Sequence, residues 1–150
     1  MADLNVRLTD KPFDPGDELA AFTTSAHGAG AVVSFSGIVR GDGGLSAMEI
    51  EHYPGMTEKA LIAHRARAVS TFNLAGALIL HRYGRLDVGE TIMMVATAAS
   101  HRREAFDAAD FLMDYLKSRA PFWKKELGPS GAAWVAAKDS DEAALGRWQG

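Results

Sequence analysis

The stretch that decides the fold is SHRREAFDAADFLMDYLKSRAPFWKKE, residues 100–126. At about 100° per residue, five of its apolar side chains fall on one stripe of a helix with 3-4-3-4 spacing. They are Phe106, Ala109, Met113, Leu116 and Ala120. Phe111 and Tyr115 lie on the far side, so the predicted helix, 101–120, is apolar over more than half of its circumference. We therefore expect a long central helix that packs on two sides or is buried at a subunit contact.

The first turn of this predicted helix combines a good N-cap, Ser100, with cationic side chains. The cations are His101, Arg102 and Arg103. Cations at this end oppose the helix dipole, which favours anions there. Free backbone N–H groups beside two arginines and a histidine would bind a phosphate or a carboxylate well. The alternative is that acidic residues of the same helix pair with these cations at the surface, and the sequence favours neither interpretation.

The other end of the helix is also basic, with cations on both sides of an Ala-Pro-Phe-Trp break. Cations suit a helix C-terminus and Pro121 ends the helix, so Lys117 and Arg119 have a sufficient structural explanation. Lys124 and Lys125 follow the break beside two large aromatic rings. A lysine in a partly desolvated pocket loses its proton more easily and can act as a nucleophile or as an acid/base. By residue type alone, an ordinary surface lysine is the simpler interpretation.

The rest of the chain predicts short strands interspersed with helices. Strands are predicted at 3–9, 31–40, 45–53, 77–83, 91–99 and 132–138, and helices at 15–26, 57–73 and 101–120. Residues 84–89 are expected to form a turn-rich link, and 139–150 a polar tail whose Trp148 docks onto the body or onto a partner. Strands joined by hairpins with helices at intervals indicate an α+β fold with a mixed or antiparallel sheet.

A glycine-rich loop, Gly41-Asp42-Gly43-Gly44, follows the second predicted strand and has Arg40 at its mouth. It carries no Walker-type lysine, so it is not a P-loop. An arginine at a strand end beside glycines can still approach a phosphate closely. From the residues alone, an ordinary hairpin loop is the preferred interpretation.

Composition limits the classes of function. A chain of 150 residues predicts a single domain, 1–150, and the absence of cysteine excludes disulfides, thiolate metal sites and a thiol nucleophile. The net charge of −3 argues against general nucleic-acid binding, so a local basic cluster points to a small anionic ligand instead. His64 has no nearby ligand-type partner, and we expect neither a metal site nor a cofactor. No stretch has the length of a membrane span or the layout of a signal peptide, and we expect a cytoplasmic protein.

Four stretches together resemble a known family. They are GAVVSFSGIVR at 30–40, LSAMEIEHYPGMTEKAL at 45–61, HRYGRLDVGE at 81–90 and MDYLKSRAPFWKKE at 113–126, with SHR at the start of the same helix as the last. In this order they resemble the large, catalytic subunit of molybdopterin synthase. The resemblance implies an α/β hammerhead fold, a homodimer, and a sulfurtransferase that converts cyclic pyranopterin monophosphate, precursor Z, into molybdopterin. It also implies a sulfur donor, the C-terminal Gly-Gly thiocarboxylate of a small ubiquitin-like partner subunit, in a heterotetramer.

The same resemblance implies roles for individual residues. Lys117 and Lys124 would be the catalytic lysines. The substrate phosphate would be bound by Arg40, His101 and Arg102, and the pocket would be lined by Phe35 and Met113. Lys138, where bacterial relatives often have arginine, would be a further substrate-binding residue; it keeps the charge but loses the bidentate fork of arginine.

Two alternative functions involve no lysine chemistry, and the first would use the same cations. One is a non-catalytic module that binds a nucleotide or another phosphorylated ligand. The other is nucleic-acid binding, suggested only by the basic and aromatic PFWKK run, and the acidic pI of about 5.9 argues against it.

Overall fold

The computed structural model of the chain describes residues 5–129, 131–135 and 145–148. These residues form three α-helices and eight β-strands, which confirms the predicted α+β class. The helices are α1 (Pro15–Ser25), α2 (Met56–Phe72) and α3 (Arg102–Ser118). The strands are β1 (Val6–Thr9), β2 (Ala31–Ile38), β3 (Ala47–His52), β4 (Gly76–Arg82), β5 (Gly84–Asp87), β6 (Thr91–Ala99), β7 (Phe122–Gly128) and β8 (Gly131–Val135). None of the described helices is long and apolar enough to cross a membrane.

The strands form two four-stranded sheets, and the chain passes between them several times. The first sheet has the order β1-β4-β6-β2, with β1 parallel to β4 and the other pairs antiparallel. The second has the order β5-β3-β7-β8 and is antiparallel throughout. The near-continuous apolar run of β6 lies inside the first sheet, with Ile92 to Ala99 buried, as the sequence predicts.

Two strands were absent from the sequence prediction. β5 occupies most of the expected turn-rich link, and β7 begins directly after the proline break. Both pair with β3, β5 through Gly84 to Asp87 and β7 through Phe122 to Leu127. Their local residues favour turns or lack a clean alternation, so pairing with a distant strand decides their conformation.

The loop after β2 is not a hairpin loop, and the interpretation preferred from the residues alone was wrong. β2 pairs with β6 in the first sheet, whereas β3 pairs with β5 and β7 in the second. Residues 41–44 include a short 3₁₀ turn, Asp42–Gly44, and carry the chain from one sheet to the other. A glycine cluster predicts a turn but not which strands the turn connects.

α3 is the central helix that the sequence predicts, and its buried face overlaps the predicted apolar stripe only in part, at Ala109 and Leu116. It packs on β6 and β2 on one side and on α2 on the other. Its buried residues are Ala105, Ala108, Ala109, Phe111, Leu112 and Leu116. Phe106 is 59% exposed, and Phe111, expected on the far side, faces the core. The alanines allow close packing on the sheet, where the Thr97 hydroxyl donates to the carbonyl of Ala105 at 2.6 Å.

The predicted N-cap residue is correct for α1 and wrong by one position for α3. Asp14 caps α1 as predicted, since its carboxylate accepts hydrogen bonds from the N–H groups of Gly16 and Asp17. For α3 the N-cap residue is His101 rather than Ser100, and its side chain makes no capping hydrogen bond. The first turn of α3 therefore keeps its N–H groups free of a side-chain cap.

Trp148 docks onto the body of the protein, as one of the two expectations for it stated. Its indole N–H donates to the Asp114 carboxylate at 2.5 Å. Its ring meets those of Phe72 and Phe111 edge-on, with centroids 5.9 and 5.5 Å away. Residues 146–148 thus cover part of the contact between α2 and α3.

Candidate active site

A cleft opens where the C-terminal half of α3 meets strands of both sheets. It is lined by residues from five elements, namely Phe35, Gly37, His81, Ile92, Met93, Met113, Leu116, Lys117 and Lys124. Apart from the two lysines and the histidine, these side chains are apolar. The half-buried Lys124 ammonium is less screened there than it would be in open water, and with Lys117 beside it the cleft favours a small anionic group.

The two lysines reach the cleft from different elements. Lys117 projects from the last turn of α3, and Lys124 is the third residue of β7, opposite Ile50 of β3. Lys125, the next residue along β7, points to the other face of the sheet because side chains alternate along a strand. There its ammonium lies over the ring of Trp134, 4.6 Å from the centroid. The fold thus separates two adjacent lysines that the sequence could not distinguish by type.

The turn between β3 and α2 holds the start of β7 in place. Thr57 is fully buried, and its hydroxyl accepts a hydrogen bond from the N–H of Tyr53 at 2.9 Å and donates one to the carbonyl of Pro121 at 2.9 Å. Tyr53 also meets Trp123 edge-on, with centroids 4.4 Å apart. Through these contacts the EHYPGMT stretch holds the APFWK stretch in position. It thereby fixes the start of the strand that carries Lys124.

His81 lines the cleft and was not among the predicted site residues. It is only 1% exposed, and its ring stacks on Phe122 with centroids 4.0 Å apart. Burial first, then the nearby Lys124 charge and a smaller effect of Lys117, together lower the pKa of His81 to about 3, although its hydrogen bond to the Arg82 backbone raises it. Two signals were available: His81 directly follows the apolar run at 77–80, which alone more often indicates a core residue, and it begins the HRYGRLDVGE stretch of the resemblance.

The predicted phosphate-binding residues lie elsewhere in the fold. His101 and Arg102 are exposed at the start of α3, next to the beginning of β2, because Ala31 pairs with Ala99. Arg40 lies just beyond the opposite end of β2, where it is exposed and 3.3 Å from the Asp42 carboxylate. Eight residues of strand span about 26 Å, so one copy of the chain does not bring these cations together.

Two further expectations concern the cations and possible metals. Arg102 and Arg103 form no ion pair with Glu104 or Asp107, all four being described residues, so the surface-pairing alternative is not observed. In residues 5–129, 131–135 and 145–148, no three His, Asp or Glu side chains are grouped so that they could hold a metal ion.

The last predicted substrate-binding residue, Lys138, lies outside the described residues.

Comparisons with known proteins agree with the motifs. The family model described as MoaE protein matches residues 8–119. The molybdopterin synthase catalytic subunit of Cereibacter sphaeroides is 60% identical over 146 residues, which cover 97% of this chain and 100% of that protein.

Solved structures give the same result. The molybdopterin biosynthesis MoaE protein of Burkholderia ambifaria matches with a TM-score of 0.81 and 48% identity, over 96% of this chain and 97% of that one. Molybdopterin synthase of Staphylococcus aureus matches with a TM-score of 0.76 and 28% identity, over 86% of this chain and 95% of that one.

Proposed function

The chain belongs to the MoaE protein family, and from this premise we propose how it works as the catalytic subunit of molybdopterin synthase. It is a sulfurtransferase of molybdenum cofactor biosynthesis, and we assign the chemical step to Lys117 and Lys124. One observation carries this assignment: the two lysines come from a helix and a strand on either side of a proline break, yet line the same largely apolar cleft. Phe35 and Met113, on β2 and α3, form part of its walls.

The reaction replaces oxygen by sulfur twice on a pterin that carries a phosphate. Each transfer passes through species with developing negative charge, which fixed ammonium groups on apolar walls stabilise. A lysine in this setting also supplies a proton or a nucleophilic amine. The cleft can therefore both stabilise the developing negative charge and supply the proton or the amine that sulfur transfer requires.

The sulfur comes from a partner subunit in this proposal. The chain contains no cysteine, so it has no thiol on which to carry a persulfide. A flexible Gly-Gly tail that ends in a thiocarboxylate is both narrow and anionic, and it suits a cleft that presents two lysines. The proposed assembly is a homodimer of this chain with one small ubiquitin-like partner at each end, working in the cytoplasm.

The phosphate pocket is proposed to be formed by two copies of the chain. Arg40 lies at one end of β2, and His101 and Arg102 lie at the other, so a single pocket that contains all three requires a second copy. The uncapped first turn of α3 adds backbone N–H groups to the positive charge there. Lys138 stays a candidate for the same pocket.

Reconstitution tests the whole proposal. Purified chain is incubated with precursor Z and with the partner in either its thiocarboxylate or its carboxylate form, and dithiolene product is measured. We expect product with the thiocarboxylate form alone, and co-elution of the two subunits on size exclusion. Product with the unthiolated partner, or with no partner, would contradict the proposal.

A further inference from the structure

His81 lines the cleft beside the two lysines that carry the proposed chemical step. It is the buried penultimate residue of β4, after the apolar run at 77–80, and burying a polar ring is costly unless its polar atoms have partners. One partner is visible: Nδ1 lies 2.7 Å from the backbone carbonyl oxygen of Arg82. A carbonyl only accepts hydrogen bonds, so Nδ1 carries the proton, and in the neutral ring Nε2 carries the lone pair.

The ring of His81 is held in a fixed orientation relative to Lys124. It stacks on Phe122 at 4.0 Å with an interplanar angle of 16°, and the Nδ1 hydrogen bond fixes its rotation. Phe122 lies two residues before Lys124 in β7, so both side chains are on the same face of that strand. The imidazole is thus fixed to the strand face from which Lys124 projects.

The surroundings also keep the ring uncharged. Burial, the charges of Lys124 and Lys117 and that of His52 all lower the pKa of His81, to about 3. At neutral pH the ring is therefore a hydrogen-bond acceptor without a charge. It is the one neutral nitrogen acceptor among the cleft-lining side chains, next to two ammonium donors.

We propose that His81 is a positioning residue for sulfur transfer, whose Nε2 accepts a hydrogen bond from the Lys124 ammonium when the cleft is occupied. This inference rests on the proposed catalytic role of Lys124. A neutral acceptor orients the ammonium and leaves its positive charge available to the anionic substrate. A carboxylate at the same place would pair with the lysine and compete with that substrate.

Three substitutions separate the functions of the ring. His81→Phe keeps the stack on Phe122 and removes both nitrogens. His81→Asn retains a donor for the Arg82 carbonyl but is too short to place an acceptor at the Nε2 position. His81→Gln places an amide oxygen near that position. The matched control is His64→Phe, since His64 is also stacked on rings, those of Phe111 and Tyr115, but lies outside the cleft.

We expect kcat to fall about tenfold or more in the Phe and Asn variants of His81, with KM within about twofold, as for a lost orienting hydrogen bond. The Gln variant should recover most of the loss, and His64→Phe should keep wild-type kcat. Full activity of His81→Phe, or an equal loss in all three His81 variants, would overturn the proposal. An equal loss would mean that His81 only supports the fold.

A measurement without turnover covers the case in which a His81 variant does not fold. ¹⁵N resonances of His81 are recorded in wild type, Lys124→Ala and Lys125→Ala, each with the unthiolated partner bound. We expect a neutral Nδ1–H ring whose Nε2 resonance shifts in Lys124→Ala and not in Lys125→Ala. An unmoved resonance together with an inactive Lys124→Ala overturns this inference alone, whereas an active Lys124→Ala overturns the proposed function.

Discussion

The two ends of α3 carry similar positive charge in opposite settings. At the C-terminal end, Lys117 and Lys124 line a cleft whose other walls are mostly apolar side chains from both sheets. At the N-terminal end, His101 and Arg102 are exposed beside the start of β2. The half-buried Lys124 charge lies among apolar walls and is screened less by water than the exposed charges of His101 and Arg102, and the exposed Lys117 reaches into the same cleft. The difference predicts that one end acts on the chemical step and the other on substrate affinity.

The strongest test of this comparison is Lys117→Ala. We expect turnover to fall by about 10² or more, the range typical of a lost acid/base or charge-stabilising group. The melting temperature should change little, because Lys117 is exposed and its loss opens no core cavity. Product formation with the thiocarboxylated partner, and a thermal melt, measure the two effects. Lys124→Ala should be similarly severe, and near wild-type turnover in either variant would remove that lysine from the catalytic set.

The opposite end of the helix is tested by Arg102→Ala. Losing one charge-assisted hydrogen bond to a phosphate should raise the substrate Kd or KM by about tenfold or more. The value of kcat at saturating substrate should change far less than in Lys117→Ala. A titration that finds unchanged affinity would mean that the N-terminal end does not bind the substrate.

A third test removes the link that holds β7 in place. Thr57→Val keeps the shape of the side chain but leaves the Tyr53 N–H and the Pro121 carbonyl without their shared hydroxyl. We expect a loss of about 1–3 kcal/mol in the free energy of unfolding, measured with denaturant, and a moderate loss of turnover. Wild-type stability would show that other contacts suffice to fix the strand.

The smallest effect is expected for Lys125→Ala, the matched control for Lys124→Ala. The two residues are neighbours in β7 and of the same type, but Lys125 lies against Trp134 on the other face. An exposed cation–π contact is worth about 0.5–1 kcal/mol, so turnover should stay within about threefold of wild type. A loss as large as that of Lys124→Ala would show that the face of the strand does not decide which lysine acts.

The sequence predicted those elements whose signals are local. Short stretches of sequence were enough to predict the apolar run of β6, the Asp14 cap of α1 and the position of α3. β5 and β7 were not, because their conformation depends on pairing with β3, more than 30 residues away in the chain. Phe106 was placed on an apolar stripe by spacing alone and is 59% exposed in the described chain, because spacing fixes a helical face but not what that face contacts.

The candidate site divides in the same way. Lys117 and Lys124 were found because their motif is continuous along the chain. His81 was missed because its place in the cleft depends on stacking with Phe122, which comes from another sheet. For a histidine that follows an apolar run, the local sequence does not distinguish a core residue from a cleft residue. Only the tertiary structure shows which atoms it faces.

The docked ring of Trp148 also gives the protein a built-in fluorophore. The other two tryptophans, Trp123 and Trp134, are 39% and 56% exposed, whereas Trp148 is partly buried against Phe72 and Phe111. With Phe in place of the first two, emission would come from the residue that bridges the chain's end to α3. Adding substrate or partner would then show, without any label, whether this contact opens: a red shift would mean that it does, and unchanged emission that it stays closed.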